Sequence, residues 1–115
     1  MRPDESDAAR LWDMLDASER IARYIKGRNE DEFNADDFFR SAVERQIEII
    51  GEAARHVSAA FKDAHPEVPW RPIAAQRHVL AHEYGEVQPA LIWRVAAIHV
   101  PALADQLRSL VPTRP

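Results

Sequence analysis

The chain of 115 residues has no cysteine and only three glycines. Without cysteine there is no disulfide, no thiolate nucleophile and no thiolate metal ligand, a composition that fits a reducing compartment. Neither a glycine-rich phosphate loop nor a dinucleotide-binding fingerprint occurs. A Gly-x-Ser-x-Gly elbow is also missing, so serine hydrolase chemistry has no support. No apolar run approaches the roughly 20 residues that span a bilayer. The acidic segment Met1-Arg2-Pro3-Asp4-Glu5-Ser6-Asp7 lacks the apolar stretch of a signal peptide. A cytoplasmic protein with no membrane partner is therefore expected. An excess of basic charge is lacking too. The formal net charge of −4 argues against indiscriminate binding along nucleic acid, yet leaves room for a local basic cleft. Arg71, Arg77, His78 and Arg94 are the candidates for such a patch.

What is present is helical periodicity over a length that suits one domain, residues 1–115. A first helix is expected from about Asp7 to Lys26, with Leu11, Leu15, Ser18, Ala22 and Ile25 on its inner face and Gly27 closing it. A second is expected to start at a capping Asn34 and run without interruption to Phe61, about 40 Å. Phe39, Val43, Ile47, Ile50, Ala54, Val57 and Phe61 form its stripe, widened by Phe38, Ala42, Ile49 and Ala53. A face that wide suggests more than one neighbour, a second subunit among them. Gly51 suggests a close approach of helices, and Glu44, Arg45, Glu48 and Glu52 a solvated face. The connection His65-Pro66-Glu67-Val68-Pro69-Trp70 is stiffened by its prolines, with Trp70 as the pin. A third helix over about Arg71–Glu83 and a fourth over about Gln88–Leu110, kinked by Pro101, complete an all-α, up-and-down bundle of four to five helices.

Chemistry concentrates in Arg77-His78-Val79-Leu80-Ala81-His82-Glu83-Tyr84. Arginine is a permanent cation suited to phosphate, histidine moves a proton near neutral pH, and tyrosine offers a hydroxyl. Arg77 and Tyr84, seven apart, share a helical stripe. His82 lies about 140° from Arg77 on an unbroken helix, so convergence needs a helix end near His82, long side chains or a second subunit. A structural alternative stays open from spacing alone: Arg77 pairing with a carboxylate, His82 capping a helix, Tyr84 packing. His78 and His82 also form a His-x-x-x-His pair that could chelate zinc. Val79 replaces the glutamate of the zinc-protease motif and no third ligand is apparent, so no metal and no cofactor are expected. His56, His65 and His99 stand singly, and Trp12, Trp70 and Trp93 are read as packing residues.

Several ordered motifs carry a resemblance over nearly the whole chain. They are Ile47-Glu48-Ile49-Ile50-Gly51-Glu52-Ala53-Ala54, His65 to Trp70, Arg77 to Tyr84, and Val87 to Trp93. Together they resemble the HepT-like members of the HEPN superfamily, the toxin half of HepT–MNT toxin–antitoxin pairs. The resemblance implies a homodimer with two Arg/His sites facing a shared cleft, and metal-independent cleavage of RNA, whether tRNA or mRNA. It implies Arg77 and His82 as catalytic residues. Tyr84 matches the tyrosine that a cognate minimal nucleotidyltransferase antitoxin modifies with AMP. His78 stands where the family usually has asparagine, and is carried as a possible participant. A second function class remains beside the enzyme: a non-catalytic nucleotide- or partner-binding bundle that regulates a nucleotidyltransferase. A plain dimerisation module is a third.

Overall fold

The computed structural model describes residues 2–75 and 89–112, and every regular element among them is helical. Helix α1 spans Glu5–Ile25. Asp4 caps it, accepting from the Asp7 amide at 2.7 Å, and Glu5 and Asp7 add negative charge to its first turn. Gly27, at a φ of 72°, lets the chain leave the helix just past its end as expected, because only glycine takes that conformation freely. The buried face is rotated from the expected one. Leu11, Leu15 and Ser18 are buried as foreseen, but Ala22 is exposed and Ile25 only partly covered, while Met14, Ala17 and Ile21 are inside.

The expected continuous second helix is three helices. A short α2, Glu30–Ala35, is held by a reciprocal capping box in which the Asn29 side chain accepts from the Glu32 amide and Glu32 accepts from the Asn29 amide. Helix α3 spans Asp37–His56 and is capped by Asp36, not Asn34, whose carboxylate accepts from the Phe39 amide at 3.1 Å. Helix α4, Ala59–Ala64, begins at a cap on Ser58. The interruption has an identifiable cause. In a continuous helix the Ser58 amide would bond Ala54. Here Val57 takes the Ala54 carbonyl, and the Ser58 amide and hydroxyl both donate to the buried Asp7 carboxylate of α1, at 2.8 and 2.6 Å.

The apolar stripe survives these breaks: Phe39, Val43, Ile47, Ile50, Ala54, Val57 and Phe61 are all buried. Phe38, expected to widen it, is instead 85% exposed. Helix α1 packs along α3 and, on its other side, against the last helix. An aromatic cluster ties α2 to both neighbours, with Phe33 edge-on to Phe39 at 5.1 Å and 5.3 Å from Trp93. Arg28 lies over the outer face of Phe39 at 4.2 Å.

A further helix, α5, is described over residues 70–75. The last helix is α6, Pro89–Arg94, followed by a π-helical segment, Val95–His99, and α7, Val100–Arg108. Pro101 has no amide to donate and its ring crowds the carbonyl four residues back. The π register absorbs this: the Val100 amide bonds Val95, five residues earlier. The last helix is kinked as expected, and the deformation lies in the π-helical segment ahead of Pro101. Among the described residues no helix is long and apolar enough to cross a membrane.

Candidate active site

The motif residues Arg77, His78, His82 and Tyr84 lie outside the described residues. What surrounds the motif in sequence is defined. On its N-terminal side, Val68 and Trp70 are buried, and the Trp70 indole donates to the His65 carbonyl at 2.9 Å. The loop is therefore pinned as expected. The Ile73 amide opens the helical bonding of α5 by donating to Pro69 at 3.1 Å. Pro72 precedes that first bond, where a missing amide leaves nothing unsatisfied. Buried Ile73 fixes the inner face of α5.

On the C-terminal side Pro89 is the first residue of α6. Ile92 is buried, and Trp93 sits against Phe33. The helices described on either side of the motif in sequence are each seated by an aliphatic residue and an indole.

Of three open grooves among the described residues, two border α5 and one lies apart from it. One, about 540 Å³, runs between α3, α5 and the last helix. It is lined by apolar Ile47, Ile50, Ile73 and Val100, with Glu67, His99 and Gln106 at its polar edge. A second, about 340 Å³, lies between α1 and α3 and mixes Arg10 and Arg45 with Asp13, Glu48 and Glu52. Its charges largely cancel, and Arg45 is already 3.6 Å from Glu48. The third, about 610 Å³, is bounded by the end of α3, by α4 and by α5, and carries Arg55, Lys62 and Arg71 against the single acid Asp63.

Of the expected basic patch, Arg71 lines this third groove, whereas Arg94 is exposed on α6 and lines none of the three. Arg55 and Lys62 were not among the sequence candidates; they lie on α3 and α4, and the fold brings Arg71 of α5 into the same groove.

The other histidines are single residues, as expected. His56 pairs with Glu52 at 3.0 Å, His65 stacks on Phe61 at 4.4 Å between ring centres, and His99 is exposed. Among the described residues no three potential ligands gather as for a metal. One carboxyl has a displaced titration. Glu44 of α3 is raised from its ordinary value of 4.5 by burial, with Glu48 and Asp37 adding to the rise and Arg40 opposing it.

Helices alone among the described residues, with an Arg-x4-His-x-Tyr motif in the sequence between two of them, define a class, and comparison with known sequences gives it a name. The profile of the family described as ribonuclease HepT-like matches residues 14–110, and the chain belongs to that family. A protein of Thermococcus cleftensis named "Probable ribonuclease HepT" is 34% identical over 100 residues, covering 87% of this chain and 91% of that protein. A Methanocaldococcus jannaschii protein named as a candidate RNase is 31% identical over 97 residues, 84% of this chain and 89% of its own. Another candidate RNase by name, from Caldanaerobacter subterraneus, is 33% identical over 101 residues, 88% of this chain and 90% of its own. No solved structure matches the chain significantly.

Proposed function

We propose that this chain is a metal-independent endoribonuclease toxin, one HepT-like domain over residues 1–115, that cuts RNA through Arg77 and His82. The observation that carries the reading is the intact Arg77-x4-His82-x-Tyr84 motif inside the span matched by the ribonuclease family. The RNase names of the relatives support the substrate class.

In this reading His82 takes the proton of the ribose 2′-hydroxyl, and the freed oxygen attacks the adjacent phosphorus. The bond to the 5′ oxygen breaks, and that oxygen receives a proton from the imidazolium. The products are a 2′,3′-cyclic phosphate and a 5′-hydroxyl. Arg77 holds the scissile phosphate and stabilises the charge that accumulates on its oxygens. His78, in place of the usual asparagine, orients the phosphate or serves as a second proton carrier. The active unit is a cytoplasmic homodimer whose two Arg/His sites face one cleft. A cognate minimal nucleotidyltransferase neutralises it by transferring AMP to Tyr84, which sets bulk and negative charge beside the phosphate site.

A second reading, a non-catalytic module that docks on a nucleotidyltransferase, is favoured by one residue, His78. The test is cleavage of a tRNA and mRNA mixture in EDTA by protein whose intact mass excludes a modified Tyr84. Native protein is expected to leave cyclic phosphate ends, and His82→Ala to lose at least about 10²-fold in rate with unchanged helicity. Cleavage retained by His82→Ala sinks the assignment, and an inactive native protein moves it to the second reading.

A further inference from the structure

We propose that the groove between the end of α3, α4 and α5 is a phosphate-tracking subsite that carries a single RNA strand toward the motif segment. This rests on the ribonuclease reading and goes beyond it by assigning a substrate-binding surface. Of the three grooves, this one has a clear excess of one charge: Arg55, Lys62 and Arg71 against Asp63. Among the described residues none of the three cations has a carboxylate within ion-pair distance. The Lys62 ammonium reaches only the Arg55 carbonyl, at 3.4 Å. Three cations against one acid in one concavity give a local field that attracts an anion, although the formal net charge is −4.

The volume, about 610 Å³, falls within the roughly 300–1,000 Å³ of ordinary ligand clefts. Between the cations the lining is rigid and apolar, with Pro66, Pro69 and Pro72 giving flat surfaces for bases while the cations take phosphates. Position also favours RNA. Ala74 lines the groove, and Arg77 follows it by three residues. The groove wall is thus adjacent in sequence to the motif arginine.

The test is binding of a fluorescein-labelled single-stranded 12-mer RNA to full-length His82→Ala protein, followed by anisotropy over a salt series. Adding Arg55→Glu, Lys62→Glu and Arg71→Glu is expected to weaken binding about a hundredfold at 0.1 M salt. It should also reduce the slope of log affinity against log salt by about 2, the counterion release of three single-strand contacts. A control with the same charge change on exposed α1-side residues, Arg2→Glu, Arg23→Glu and Lys26→Glu, should keep the slope. Asp63→Asn should tighten binding several-fold. Should the triple glutamate variant fail to fold by circular dichroism, the triple glutamine variant replaces it, with a smaller loss in the same direction.

Equal loss in groove and control variants, or native-like affinity in the groove variant, overturns the subsite and leaves the ribonuclease reading standing. Binding of labelled poly-glutamate as tight as RNA overturns it in favour of an acidic protein partner. If the His82→Ala parent binds no RNA and native protein cuts none, the ribonuclease reading fails first and takes the subsite with it.

Discussion

Among the described residues, two interruptions of helical continuity arise by opposite means. Between α3 and α4 the chain has every group needed to continue, but Asp7, 51 residues away, takes the Ser58 amide and hydroxyl for itself. Ahead of α7 the chain lacks a group, the amide of Pro101, and continues through a π-helical segment that spreads the deficit over five residues. A long-range competitor ends a helix; a local defect deforms one. The first break also creates a wall of the basic groove, since α4 turns away from α3 there. Removing the competitor should therefore cost much more than repairing the defect.

Asp7→Ala tests that difference most severely. It deletes a buried carboxylate that accepts two bonds from Ser58 and leaves the Ser58 amide without its partner. A loss of about 3 kcal/mol in urea unfolding is expected. Ser58→Ala removes the α4 cap and should cost about 1 to 2 kcal/mol. The double variant should lose at least about 0.5 kcal/mol less than the two single losses added together, because both changes remove one shared hydrogen bond. Strict additivity would mean that Asp7 and Ser58 do not act as a unit, and the break would need another cause.

Pro101→Ala addresses the other interruption. The new amide can reach the Ala97 carbonyl and gains about 1 kcal/mol, while the unfolded chain recovers freedom worth roughly 0.4 to 1 kcal/mol. Pro101 is exposed, so little packing is at stake. The net change in stability should fall within about 1 kcal/mol of zero. Slowed amide exchange at residues 100 and 101 would report the recovered α register. A loss above about 2 kcal/mol would show that the proline does more than omit a donor, and the contrast with Asp7 would weaken.

The same contrast explains what could be read from the chain alone. Gly27, Pro72 and Pro101 act on their own neighbourhood through φ or a missing amide, and each has the effect its residue type dictates. The apolar stripe from Phe39 to Phe61 was legible because period alone selects a face, whether or not the helix is continuous. The Ser58 break was not legible, since nothing near Ser58 in sequence announces a carboxylate from α1. The α2 helix has a local signature, the capping box of Asn29-Glu30-Asp31-Glu32, that the choice of Asn34 as the cap passed over. Phe38 and Phe39 are adjacent, and only their angle on α3 sends one inside and the other out. The candidate site divides in the same way. Its motif is a run of neighbouring residues and could be read directly, whereas Arg55 and Lys62 gain significance only when α5 brings Arg71 into the same groove.

Asp7 and Glu44 carry the comparison to single charges. Asp7 is buried with two donors aimed at it; Glu44 is partly buried on α3 beside Glu48 and Asp37, with Arg40 the favourable neighbour. Burial first, and then the two acids, raise the Glu44 carboxyl above its ordinary value. The folded protein thus holds the Glu44 proton more tightly than the unfolded chain does. This favours folding below the ordinary value of 4.5, and the advantage is lost as pH rises through the folded value. At pH 7 the ionised side chain is a small burden. Glu44→Gln should therefore stabilise the protein at pH 7, by no more than about 0.5 kcal/mol given its partial exposure, with the gain vanishing in urea titrations near pH 3.5. Salt at 1 M should remove the share due to Glu48 and Asp37 and leave the share due to burial. Loss of stability in Glu44→Gln at pH 7 would mean that the Arg40 attraction outweighs burial, placing Glu44 with Asp7 among the charges the fold depends on.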